Sequence, residues 1–178
     1  MPVLPALRLR LPDVWCFTWR NCIVYFWQRI TLEALQATHQ VTTEMRPTFK
    51  RGVVTVSCSM PDSPLLPAPD ARSEALRLMS DMRGYLLASA GVREGSGLLF
   101  TAARAFISTL TIVANRSDQR FRLFSSLDKV APWLAPIMEP DEPGLVTELG
   151  DALARCKLIR GGDSRPVDRS AAGIKPGL

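Results

Sequence analysis

Few residues in this chain have the chemistry for covalent or metal work, and their spacing decides how they read. Cysteine stands at positions 16, 22, 58 and 156, and His39 is the single histidine. A structural zinc site wants four Cys or His ligands in paired spacing. No two of these cysteines form a CxxC pair, so no metal is expected. Cys16, Cys22 and Cys58 fall in stretches that read as strands, where a free cysteine behaves as a small buried hydrophobe. Unpaired thiols of that kind point to a reducing cytoplasm. His39 sits on a predicted helix with no Cys or Ser at a definable spacing, so it reads as a surface or half-buried imidazole rather than a catalytic base. The glycine-rich GVREGSG at 91–97 precedes a predicted strand. A phosphate-cradling loop lies instead between a strand and a helix N-terminus, so this reads as a plain loop. Asp62-Ser63 and Asp118 offer no paired-carboxylate geometry for acid–base work. The expectation is a protein that is not an enzyme and carries no cofactor.

Charge excludes two partner classes. The 178 residues carry a formal net charge of +5, from 18 Arg and 4 Lys against 17 acids. Arginine excess suits phosphate or carboxylate recognition, but it also follows simply from a GC-rich genome. The arginines are scattered, as Arg72, Arg77, Arg83, Arg93, Arg104, Arg116, Arg120 and Arg122 show. No stripe of basic and aromatic residues forms, so no nucleic-acid partner is expected. No apolar run approaches the roughly 18 residues a membrane span needs, so no membrane partner is expected either. The N-terminal MPVLPALRLRLPDVW resembles a secretory signal weakly, since Arg8, Arg10 and three prolines interrupt its apolar part.

The elements that must position these residues follow from periodicity. Val14–Trp19 and Cys22–Trp27 read as two strands joined by a two-residue turn at Arg20-Asn21. That register puts Trp15, Phe17 and Trp19 on one face with Cys22, Val24 and Phe26. Val14, Cys16 and Thr18 share the other face with Ile23, Tyr25 and Trp27. Both faces are apolar, so the hairpin is either covered on both sides or sticky. A surface helix follows over Thr31–Met45 with Thr31 as N-cap. Val53–Ser57 is a β-branched run typical of a central strand. Four prolines within residues 60–69 exclude regular structure there. The spacing then predicts a long helix from Asp70 to about Ser89, with Leu76, Met79, Met82/Arg83 and Leu86 as its buried stripe and Gly91 as its stop. A strand at Gly97–Thr101, a helix at Ala102–Asn115 and an edge strand at Arg120–Phe124 complete the alternation. Ser125 and Asp128 mark a last helix start, with Pro132 as a kink. Beyond Met138, residues 139–151 carry five acids and no bases. Leu145–Leu158 can form a short helix before a glycine- and proline-rich end.

This order predicts an α/β fold: a single, mostly parallel sheet of about five strands with an N-terminal antiparallel hairpin, ordered ββαβαβαβα. Residues 1–13 read as an irregular lead-in, 14–138 as the domain, and 139–178 as a partly helical, then disordered charged tail. The order resembles the anti-sigma-factor antagonist (STAS) domain family over residues 14–138, in a degenerate bacterial branch. The pieces that carry the likeness are RGVVTVSCS, DARSEALRL and KVAPWLA. The resemblance implies a protein that acts by binding another protein, with regulation by phosphorylation of a Ser or Thr at the start of the helix after the central strand. The D-S-[ST]-G setting of that family is absent here; by position Ser59, Ser63 or Ser73 would serve, and turn or cap roles are the simpler reading of all three.

Two binding expectations come from different features. The aromatic cluster Trp15, Phe17, Trp19, Tyr25, Phe26 and Trp27 holds three of the four tryptophans. On a hairpin at a sheet edge it would anchor a protein partner or a second copy, giving a homo-oligomer or hetero-complex. The alternative is a small-molecule or nucleotide site at the C-terminal ends of the parallel strands, around Ser59, Thr101 and Ser125.

Overall fold

The computed structural model describes residues 3–60, 63–64, 67–93 and 120–162. The fold is α/β: one six-stranded sheet whose strands lie side by side in chain order. They are β1 (Ala6–Arg10), β2 (Val14–Trp19), β3 (Cys22–Trp27), β4 (Val53–Ser59), β5 (Leu86–Arg93) and β6 (Arg120–Phe124). β1–β2 and β2–β3 pair antiparallel, and β3 through β6 run parallel. Among the described residues four α-helices accompany it: α1 (Leu32–Met45), α2 (Arg72–Asp81), α3 (Ala131–Met138) and α4 (Leu145–Gly162).

The hairpin forms in the register its alternation predicts, Val14 opposite Trp27 through Trp19 opposite Cys22. Arg20 takes the left-handed backbone of the turn at φ 50°. Its guanidinium binds Glu142 at 2.6 Å and Glu148 at 2.9 Å, tying the turn to the segment that enters α4. α1 starts where Thr31 Oγ1 accepts the Ala34 N–H and donates to Asp13. β4 pairs on both sides, as a central strand must.

Each apolar face of the sheet has its own cover. Val14, Cys16, Ile23, Tyr25, Trp27 and Val53 pack with Ala34, Val41 and Met45 of α1. The opposite face, from Phe17 and Val24 through Val56 and Ala90 to Phe124, lies under α3 and α4. Tyr25 crosses its layer to meet Thr42, hydroxyl to hydroxyl, at 3.0 Å.

Several expectations change. The lead-in is not irregular throughout: Ala6–Arg10 adds an edge strand, with a bulge between Leu7 and Leu9. The hairpin is therefore flanked on both sides, and β1 is the sheet edge. The long helix expected from Asp70 to Ser89 is two elements, α2 and β5. Alanine and leucine made Leu86–Ala90 read as helix; tertiary context overrides that propensity. A strand under a helix layer needs small side chains, and at Gly91 an added Cβ would lie 2.8 Å from Leu123 Cδ1. Leu78, not Leu76 or Met79, is the buried side chain of α2. Pro132 falls in the first turn of α3, where its missing N–H costs no hydrogen bond, so it is no kink. α4 sends Leu145, Leu149, Leu153 and Cys156 into the core, so the folded body continues past residue 138. The strand and helix expected at 97–101 and 102–115, and residues 163–178 of the tail, lie outside the described residues.

Candidate functional site

Parallel strands all point their carbonyl ends one way, and at that end of β3, β4 and β5 a cleft of about 50 Å³ opens. Phe26, Cys58, Met60, Val92 and Leu127 supply its apolar lining. Its polar lining is Ser59, the last residue of β4, with Lys157 and Arg160 from the last turns of α4. The strand order never reverses, so no crevice between diverging connections forms among the described residues. The cleft exists because α4 runs over the sheet and ends there.

Beside it, the proline-rich segment is pinned. Ser63 is buried; its Oγ donates to the Trp27 carbonyl at 2.9 Å, and its own carbonyl accepts from Arg93 Nη1 at 3.3 Å. Arg93, at the end of β5, is itself buried. Trp27, Ser59 and Arg93 are register partners across three strands, so this contact joins their ends.

The serines expected as regulatory sites separate clearly. Ser63 is buried, with its hydroxyl engaged by the Trp27 carbonyl. Ser59 is half-buried in the cleft wall, and Ser73 is exposed in the first turn of α2. Ser125 receives the Lys129 ammonium at 3.2 Å and does not line the cleft; Thr101 lies outside the described residues. His39 is half-buried on α1.

The hairpin aromatics, expected as anchors for a partner, are packed into the core. Phe17, Trp19, Tyr25, Phe26 and Trp27 are all buried, and Trp15 is half-buried with the Arg10 guanidinium 4.5 Å from its ring centroid. The reason is the extra strand and the helix layers, which cover both faces. What sequence reasoning missed is the contribution of Lys157 and Arg160. They stand in a stretch read as tail, and only the path of α4 brings them to the strand ends.

No disulfide joins the four cysteines, and all four are buried. Burial pushes the Cys16 and Cys156 thiols up to about 12 and raises Cys22 further. Neutral thiols are poor nucleophiles. Iodoacetamide at pH 8 should label none of them in the folded protein and all four in denaturant; rapid labelling of the native chain would contradict their burial. The sign of the linkage is set by these raised values. Unfolded thiols ionise from about pH 9 while folded ones stay neutral, so the stabilisation is complete below pH 9. It is lost as pH climbs toward 12. Circular dichroism should show stability falling across that window.

Among the described residues, no group of three or more His, Cys, Asp and Glu converges to hold a metal. No helix among them is long and apolar enough to cross a membrane. Comparisons with family models, with curated proteins and with solved structures find no match to this chain.

Proposed function

We propose that this chain is a non-enzymatic, STAS-like protein that works by binding another protein, and that α2 is the surface it uses. The observation that carries this reading is the outward apolar stripe of α2. Leu76 is 51% exposed and Met79 42%, three residues apart on one helix face. Arg72, exposed in the first turn of α2, lies one turn before Leu76 on the same face. Such a face fits an apolar groove with an acidic rim.

Among the described residues the sheet edges argue for a helical surface over strand pairing. β1 carries Arg8 and Arg10 and a bulge, and β6 carries Arg120 and Arg122. Charge and bulges on edge strands are the usual guards against edge-to-edge association. The element order from β2 onward supports the STAS-like reading, with RGVVTVSCS ending in β4, DARSEALRL in α2 and KVAPWLA in α3. Relative to that order, β1 and α4 are additions. Ser73 lies one turn before Leu76, so a phosphate there would place about two negative charges on this same face. Four cysteines that form no disulfide suit a reducing, cytoplasmic setting.

The test is Leu76→Asp with Met79→Asp. Both side chains are on the surface, so the melting temperature should stay within about 2 °C. The partner retained by the unsubstituted protein in a pull-down from its native cell should be lost. Equal retention by the double variant would refute α2 as the surface. A second reading, a small-molecule binder, is favoured by one observation: the cleft at the ends of β3, β4 and β5.

A further inference from the structure

β1 meets the rest of the described residues through one short connection, and that connection fits a hairpin poorly. The Leu11 N–H donates to the Val14 carbonyl at 2.9 Å and the Val14 N–H to the Leu11 carbonyl at 3.3 Å, so Pro12 and Asp13 alone make the turn. Two-residue turns that match the right-handed twist of their strands need a positive φ at the first turn residue. The turn between β2 and β3 has one, at Arg20. Proline is locked near φ of about −65°, and neither Pro12 nor Asp13 has a positive φ. A turn of that hand splays its strands, and the β1–β2 ladder breaks at the bulge between Leu7 and Leu9. We infer that β1 exchanges between two copies of this chain: the 11–13 connection extends, and each β1 pairs with the β2 of the other copy in a two-fold dimer.

Asp13 stays with the body when β1 leaves. Its carbonyl accepts the Gln28 N–H at 2.8 Å and the Arg29 N–H at 3.2 Å, and its carboxylate accepts from the Thr31 hydroxyl and Arg29 Nε. The pivot is therefore Leu11–Pro12, and extended backbone is what a proline favours in the residue before it. β1 itself is lightly held: Leu9 is its one half-buried side chain, and Leu7 is 43% exposed. A second copy is the occupant because the β2 edge is fitted to this sequence. Trp19 Nε1 donates to the Val3 carbonyl at 2.8 Å, Arg8 pairs with Glu44 of α1 at 3.0 Å, and the Arg10 guanidinium lies on the Trp15 ring. Exchange repeats each of these contacts between chains. The outer edge of β1 keeps its charges and bulge, so assembly closes at two. Monomer and dimer then differ in the turn and in the crossing of two extended connections, set against the cost of joining two bodies. The dimer therefore depends on concentration, and it forms slowly because β1 must unpair first.

Exchange of β1 stands apart from binding through α2, and one experiment separates them. Sedimentation of the full chain over a range of concentrations should show monomer and dimer. Pro12→Gly admits a turn with a positive φ at its first residue and keeps Asp13, so it should weaken dimerisation about tenfold or more. Leu76→Asp with Met79→Asp should leave the dimer unchanged. Ala6 and Thr18 are register partners across β1 and β2. Ala6→Cys with Thr18→Cys, oxidised in the dimer fraction and run denatured without reductant, should link two chains, because each bond joins one β1 to the other copy's β2. Native thiols are alkylated as the chain unfolds. The monomer fraction, oxidised in the same way, should close the bond within one chain, which shows that the pair can form. A dimer whose bonds all close within single chains would overturn exchange, since it would have to associate through another surface. A chain that stays monomeric at every concentration would overturn it too. A dimer that survives Pro12→Gly but is lost with the two α2 substitutions would overturn exchange and assign self-association to α2.

Discussion

Replacing Gly52 with alanine should cost about 3 kcal/mol or more of unfolding free energy, among the largest effects of any single methyl in this protein. Gly52 enters β4 at φ +117°, a backbone conformation that L side chains rarely adopt. A Cβ there would lie 2.4 Å from the Tyr85 carbonyl oxygen and about 3 Å from Leu87. The clash is with backbone, so no rotamer change relieves it. That carbonyl also accepts the Val53 N–H at 3.0 Å, and the Gly52 carbonyl accepts from the Asn21 amide at 3.4 Å. Strain at this point therefore loosens the start of β4 against both its neighbours. Urea unfolding measures the loss. Gly150→Ala is the control, since its Cβ would meet only Ala131 at 3.9 Å, and alanine in a helix interior should stabilise by about 0.5–1 kcal/mol. A Gly52→Ala loss below about 1 kcal/mol would show that the strand entry relaxes freely.

Phe17→Ala should cost about 3–5 kcal/mol, the range for emptying an aromatic site in a packed core. Phe17 has no exposed surface and packs edge-on against Phe26, ring centroids 6.0 Å apart. Single domains hold only about 5–15 kcal/mol in all, so the variant should be marginal at 37 °C. Trp19→Asp with Phe26→Lys should unfold the chain outright, because each change leaves a charge where apolar neighbours pack. Trp19 would also lose its Nε1 hydrogen bond to the Val3 carbonyl, 2.8 Å in the native chain. Were the hairpin an association surface, these same changes would alter the mass in solution and leave the melting temperature alone. Sedimentation and thermal unfolding of both variants separate the two roles.

The surface at α2 shows how a correct pattern can be assigned to the wrong side. Leu76 and Met79 do recur at helical spacing, and a helix does form over them. Periodicity marks which residues share a face; it does not say whether the face meets the sheet or a partner. Here Leu78 takes the inward position, and Leu76 and Met79 stay on the surface.

The sequence by itself determined the α/β class, the hairpin and its register, the two-sided apolarity of that hairpin, the central strand and the helices that start at Thr31 and after Ser125. These are local properties: alternation of side chains, turn residues and caps act within a few positions, so they can be read in line. The tertiary structure decided what depends on distant neighbours. β1 is a strand only because β2 offers its edge. Leu86–Arg93 is a strand because β4 and β6 flank it and need its small side chains, against an intrinsic preference for helix. Burial of the hairpin aromatics required knowing that α1 covers one face and that α3 and α4 cover the other. Lys157 and Arg160 line one cleft with Ser59, nearly a hundred residues away in the chain, because α4 lies along the sheet and ends at the strand termini. No local pattern encodes that approach; it follows from how the layers stack.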